Sequence, residues 1–168
     1  MEKIILMLLI FMITNKVLSQ EGSKSIKLNS VDLGFGGFSN KNFGGIDFYS
    51  SFALKSKTSL FSISFITGGE LNILGGLSAS YREYNLMYGK ELKLAKWISF
   101  EVFGGIGYFN QKSNKKLIPN ENAISFPLKI NIKFYTNKHF GLGINTNYLI
   151  NKINNNFSTN LILNYKFK

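Results

Sequence analysis

The segment FPLKINIKFYTNKHFGLGINTNY, residues 126–148, alternates apolar and polar side chains on both sides of the short polar break TNK. A period of two indicates extended strands with two unlike faces. The same period continues through most of the chain after about residue 25. It predicts about eight strands of roughly ten residues, the number and length of the smallest transmembrane barrels. They lie at about 25–36, 44–55, 58–67, 78–93, 97–109, twice within 126–148, and at about 157–167.

The links between these strands alternate in length. Tight polar breaks, KSK, LAK and TNK, join the second strand to the third, the fourth to the fifth and the sixth to the seventh. Longer links rich in Gly and Asn lie between them: GGFSNKNFG, TGGELNILGG, NQKSNKKLIPNEN and NKINNN. Short turns at one end and longer loops at the other are typical of outer-membrane barrels, with both termini on the periplasmic side.

Alternation alone fits two opposite proteins. A soluble, lipocalin-like barrel turns its apolar row inward, whereas a membrane barrel turns it outward to lipid. The other row decides between them, because it consists mainly of Gly, Ser, Asn, Asp and Glu rather than the long side chains of a solvated face. Small residues suit a narrow lumen. The sequence therefore predicts an all-β, eight-stranded antiparallel up-and-down transmembrane β-barrel.

Aromatic residues of the apolar row support this orientation. They lie toward strand ends while Leu, Ile, Val and Phe occupy the middles, as interface girdles around a lipid-facing band require. The predicted girdle is Tyr84, Tyr88, Trp97, Tyr108, Tyr148 and Tyr165.

The N-terminal residues form a separate unit. Lys3 precedes an apolar run from Ile4 to Ile13, and a small residue, Ser19, occupies a cleavage-site position. This is the pattern of a secretory signal peptide, residues 1–19, cut before Gln20, and about ten apolar residues are too few for a spanning helix. The barrel domain is then 20–168.

Several segments carry a resemblance to a known family: YNLMYGKEL, FEVFGGIGYF, the segment 126–148 and the end NLILNYKFK. Over about residues 25–168 the chain resembles the small outer-membrane β-barrel proteins of Gram-negative bacteria, especially the family common in Bacteroidota, and more loosely the transmembrane domain of outer membrane protein A. The resemblance implies an outer-membrane location and insertion by the barrel assembly machinery. The last segment is similar to the family's C-terminal assembly signal, carried here by Leu161, Leu163, Tyr165 and Phe167.

Inward charges form the one candidate site. Glu101 and two lysines, Lys129 and Lys133, share inward parity and similar heights above the turns, so Glu101 is expected diagonal to each lysine. Asp32 and Asp47 on adjacent strands are expected to join them. Such a network is either a plug or a selectivity filter, and the narrow lumen of eight strands favours the plug.

Catalytic residue types are scarce: the chain has one His, one Trp and no Cys beside 16 Phe and 8 Tyr. His139 lies beside a turn, and one His without Cys builds neither a typical triad nor a usual zinc site. No enzymatic activity, metal or cofactor is expected. Removing Lys3, Lys16 and Glu2 with the signal peptide leaves 18 basic and 8 acidic residues, a net charge of +10.

The scattered lysines do not predict a nucleic-acid partner. The expected partners are outer-membrane lipid and lipopolysaccharide, the assembly machinery and an unknown surface partner. The predicted function is a structural or surface-interaction role through extracellular loops. A narrow porin-like channel or apolar-solute transporter is the first alternative, and a soluble periplasmic lipid-binding barrel is the second.

Overall fold

A computed structural model of the chain describes residues 26–70, 79–115, 118 and 120–167. These residues form a closed antiparallel barrel in which each strand pairs with the next along the chain and the last pairs with the first. This confirms the predicted fold class. The strands are β1 (Lys27–Asn40), β2 (Gly44–Ser56), β3 (Ser59–Gly69), β4 (Ala79–Ala95), β5 (Ile98–Ser113), β6 (Glu121–Tyr135), β7 (Phe140–Asn151) and β8 (Asn156–Lys166).

The predicted signal peptide, residues 1–19, lies outside the described residues. Among those that are described, no helix is long and apolar enough to cross a membrane.

The two ends of the barrel differ in their connections. The turn end carries the connections 57–58, 96–97 and 136–139, the start of β1 and the end of β8. The loop end carries the connections 41–43, 70–78, 114–120 and 152–155. The predicted asymmetry is therefore present, but two loop-end connections, 41–43 and 152–155, are no longer than the turn 136–139.

Several strands extend further toward the loop end than the sequence predicts: β1 continues to Asn40 and β5 continues to Ser113. Segments rich in Gly and Asn that suggested loops belong partly to strands, because a neighbouring strand supplies their backbone partners. Ser39 pairs with Gly44, and Gln111 pairs with Glu121. Gly and Asn favour a turn only where no such partner is available.

The apolar row of each strand points outward. Leu161 is 73% exposed and Ile130 is 42% exposed, whereas inward Asn145 and Ser64 are at most 2% exposed. This is the orientation predicted for a membrane barrel and the reverse of a lipocalin-like barrel.

The lumen also holds large side chains, which the expectation of a small, polar inward row did not include. Phe103 and Tyr81 point inward and are buried. Each lies across a glycine of the neighbouring strand: a β-carbon on Gly89 would approach Phe103 to 2.4 Å, and one on Gly68 would approach Tyr81 to 2.3 Å. The glycines therefore make room for rings that fill the interior.

Candidate functional site

Three charged side chains meet inside the lumen, in the half nearer the turns, and we call them the central charge cluster: Asp32, Glu101 and Lys133. The Lys133 Nζ lies 3.0 Å from Asp32 Oδ2 and 2.9 Å from Glu101 Oε2. All three side chains are at most 2% exposed. Ion pairing is what makes burial of these charges tolerable, since an isolated buried charge is very costly.

The central charge cluster spans the lumen. Asp32 belongs to β1 and Glu101 to β5, which are opposite strands of an eight-stranded closed barrel, and Lys133 on β6 joins them. Neutral groups donate further hydrogen bonds to the same carboxylate oxygens that Lys133 contacts. Ser51 Oγ donates to Asp32 at 3.1 Å, and Asn131 Nδ2 donates to Glu101 at 2.9 Å.

Lys129 does not contact Glu101, although the two were expected to lie diagonal to each other. Its buried Nζ donates instead to Tyr49 Oη at 3.0 Å and to Ser62 Oγ at 3.2 Å, and it lies 4.1 Å from the centre of the Phe103 ring. Hydroxyls and an aromatic face stabilise an ammonium group without a counter-ion. Lys129 on β6 thus reaches across the lumen to β2 and β3, at a different level from Lys133.

Asp47 also lies away from the central charge cluster, contrary to expectation. The Tyr81 hydroxyl donates to Asp47 Oδ2 at 2.9 Å. The register explains the separation: Asp32 pairs with Ser51, so Asp47 stands four residues nearer the loop end on β2.

A second charged bridge, which was not predicted from the sequence, crosses the lumen near the turn end. Lys166 Nζ lies 3.0 Å from Glu91 Oε1, and Lys55 pairs with Glu91 Oε2. Lys166 on β8 and Glu91 on β4 again belong to opposite strands. In the sequence, Glu91 and Lys166 both fall in the inward-facing row of their strands, and this was the one indication that they could meet in the lumen. Their pairing depends on the closure of β8 onto β1.

The loop end of the lumen is closed by an apolar cluster that includes Phe38, Tyr81, Phe109 and Ile118, each buried. The interior is thus bridged by the Glu91 ion pairs and the central charge cluster in the half nearer the turns, by Lys129 next to them, and by rings at the loop end. Within the described residues, this arrangement fills the barrel with side chains rather than lining a water-filled path.

His139 contacts a backbone carbonyl and an aromatic ring at the turn end of the barrel. Its Nδ1 lies 3.1 Å from the Lys166 carbonyl oxygen, and its ring stacks on Tyr165 with centroids 5.8 Å apart. A hydrolytic base would face a hydroxyl nucleophile instead. The described residues contain no group of three His, Cys, Asp or Glu side chains that could hold a metal ion.

The residues predicted as a girdle all belong to the outward row, where five of them are 37% to 57% exposed and Tyr88 is intermediate. Trp97 and Tyr165 lie at the turn end, and Tyr148 lies toward the loop end of β7. Tyr88 stands near the middle of β4, although its hydroxyl reaches Ser59, the first residue of β3, at 3.0 Å. These aromatic residues therefore do not form two regular girdles, one at each end of the barrel.

The residues predicted as an assembly signal lie outward at the end of β8 and after it. Tyr165 packs against the rings of Phe140 and Phe167 with centroids 5.0 Å apart. The Phe167 amide donates to the Asn29 carbonyl at 2.8 Å, next to the β1–β8 pairing that closes the barrel.

No protein-family model and no curated protein sequence matches the chain. Solved structures do match. The N-terminal β-barrel domain of Pseudomonas aeruginosa OprF matches with a TM-score of 0.65 at 10% identity, over 85% of this chain and 100% of that one. Ail, the attachment invasion locus protein of Yersinia pestis, matches with a TM-score of 0.59 at 13% identity, over 85% of this chain and 100% of its own.

The outer membrane enzyme PagL matches with a TM-score of 0.50 at 11% identity, over 80% of this chain and 97% of that one. At such identities the likeness shows the fold alone. The same barrel carries both an enzyme and proteins whose names denote no reaction, so the fold does not decide whether this chain is catalytic.

Proposed function

We propose that the chain is an outer-membrane β-barrel with a structural or surface-interaction role carried by its loop end. The single observation behind this proposal is the continuous apolar outer face. Leu33, Leu86, Ile130, Leu161 and other outward residues expose large apolar side chains on every side of a closed barrel. Monomeric soluble proteins rarely expose contiguous apolar patches above a few hundred Å². Hydrocarbon is the solvent that such a surface fits.

The orientation in the membrane is part of the proposal. Short turns and both chain ends face the periplasm, and the loop end faces outward. Export by a signal peptide over residues 1–19 and insertion by the barrel assembly machinery, guided by Leu161, Leu163, Tyr165 and Phe167, complete it. The narrower likeness to Bacteroidota barrels stays a prediction.

The filled interior favours a sealed barrel over the porin-like channel or transporter. A conducting pore needs a continuous water path, whereas the central charge cluster joins β1 to β5 across the lumen. The outward apolar row argues against the soluble lipid-binding alternative, because that barrel needs its apolar row inside.

The proposal includes the absence of enzymatic activity. Its support is local: the ring of His139 bonds to a backbone carbonyl, and the buried carboxylates of Asp32, Glu101 and Glu91 are each engaged by lysine inside the barrel. A carboxylate held in this way is not presented to a substrate.

Cell fractionation tests the location. After a carbonate wash, the native protein is expected in the outer-membrane fraction and to migrate differently on a gel before and after boiling, because the folded barrel resists detergent. Recovery as a freely soluble periplasmic protein would contradict the proposal and favour the lipid-binding alternative.

A further inference from the structure

Three cations stand on the outward side of the loop end: Arg82 on β4, Lys112 on β5 and Lys152 in the connection 152–155. Each side chain is exposed, and among the described residues none of the three has an ion-pair partner. Arg82 begins a row of polar outward residues that crosses three neighbouring strands. Arg82 on β4 pairs with Asn110 on β5, and Asn110 pairs with Asn122 on β6. We call Arg82, Lys112 and Lys152 the loop-end cations.

An apolar furrow lies next to these cations on the outer face of β5, β6 and β7. Its walls are Tyr108, Ile124, Phe126 and Ile150, and Lys152 stands at its rim. The furrow has a volume of about 640 Å³, within the range of small-molecule sites.

A second furrow lies on the other side of Tyr108, across β2 to β5. Outward residues including Phe52, Ile63, Leu86 and Ile106 line it, together with Tyr84, which stands two residues from Arg82. Its volume is about 430 Å³. The two furrows therefore share one ridge, Tyr108; the first reaches Lys152, and the second begins two residues below Arg82 and runs toward the middle of the barrel.

We infer that this outer surface binds the lipid A part of lipopolysaccharide, a phosphorylated glycolipid with several acyl chains. Arg and Lys at headgroup depth form charge-assisted hydrogen bonds with phosphate oxygens. Two adjacent furrows below one set of cations fit a lipid with more than one acyl chain. The inference rests on the proposed function, which places the loop end in the outer leaflet where such a lipid resides.

Native mass spectrometry of the purified, folded protein in detergent, titrated with bis-phosphorylated lipid A, tests the inference. The wild type is expected to retain lipid A. Arg82→Gln/Lys112→Gln/Lys152→Gln is expected to bind about a hundredfold more weakly, because each basic side chain near an anionic headgroup contributes roughly a factor of five. Lys152→Gln alone is then expected to weaken binding about fivefold.

The matched control removes the same charge at the other end of the barrel. Lys57→Gln/Lys90→Gln/Lys96→Gln alters exposed lysines at or near the turn end, and it is expected to bind lipid A like the wild type. An equal loss in both triple variants would overturn the inference, since attraction would then depend only on total charge. A boiled and unboiled gel sample checks that each variant remains folded.

Two further lipids identify the ligand chemistry. Dephosphorylated lipid A is expected to bind more weakly than the phosphorylated form, and phosphatidylglycerol is expected not to displace lipid A. Equal binding of dephosphorylated lipid A would show that the surface recognises only the acyl chains. Full displacement by phosphatidylglycerol would show that it binds anionic lipids in general. Either result overturns the inference. Because the assay uses purified protein, its failure leaves the fractionation result untouched.

Discussion

Replacing Lys133 with Met is expected to destabilise the barrel by about 3–5 kcal/mol, the cost of leaving buried charges without their partner. The substitution leaves the Asp32 and Glu101 carboxylates without a cation. Both now contact the Lys133 ammonium at about 3 Å, and all three side chains are buried in the lumen. Urea unfolding of the refolded protein in detergent measures the loss relative to the wild type.

Lys129→Met is the matched control. It removes an equally buried lysine from the same face of β6, but its Nζ contacts hydroxyls and an aromatic ring rather than carboxylates within ion-pair distance. A clearly smaller loss is expected. Equal losses in the two variants would contradict the assignment of the central charge cluster as the main electrostatic bridge.

The triple variant Asp32→Asn/Glu101→Gln/Lys133→Met is expected to recover much of the stability, because no charge remains unpaired in the cluster. Wild-type protein in a planar bilayer is expected to show little steady conductance, since side chains fill the lumen. Large, long-lived, ion-selective openings would instead support the channel alternative.

Replacing Ile130 with Lys is expected to cost about 2–4 kcal/mol or to block assembly, the cost of placing Lys near the bilayer midplane on a lipid-facing strand. Ile130 points outward from β6 and is 42% exposed. Its cross-strand neighbours, Val102 on β5 and Thr146 on β7, offer no counter-charge. Unfolding in lipid vesicles by urea measures the change.

Ser39→Lys is the control for this substitution, since Ser39 is an exposed outward residue near the loop end of β1. A cost of only about 0–1 kcal/mol is expected there, because Lys at the interface reaches water. If Ile130→Lys were as mild as Ser39→Lys, the outer face of β6 would be in contact with water, and the membrane assignment would be wrong.

Strand number, strand direction and the two faces could be predicted from the sequence, because each follows from a local period. Leu161 and Asn160 are neighbours in the chain, yet they are 73% and 1% exposed, as a period of two requires. The composition of the two rows also decided which face is outside, since Gly and Ser suit a closed lumen better than a solvated surface.

Only some partners of the inward charges could be predicted in the same way. Parity placed Glu101, Lys129 and Lys133 inside, but their contacts depend on strand tilt and on closure of the barrel. Neither property is encoded within one hairpin. Lys133 contacts Glu101 and Asp32, whereas Lys129, four residues earlier on the same strand, reaches Tyr49 and Ser62 instead.

The bridge from Lys166 to Glu91 was missed for the same reason, since it forms only after β8 closes onto β1. The ends of the strands were less predictable than their faces. Ser39, for example, lies in a segment that suggested a loop but pairs with Gly44, because an available backbone partner overrides the local turn preference.

Depth-dependent quenching of a single tryptophan in vesicles tests most directly that the apolar row faces lipid. The natural chain has one tryptophan, Trp97. Trp97→Phe/Leu161→Trp therefore places a lone indole on the outer face of β8, at the site of a side chain that is 73% exposed. Strong quenching by phospholipids brominated deep in their acyl chains, with little quenching by aqueous iodide, is the expected result. Quenching by iodide without quenching by the brominated lipids would contradict the account.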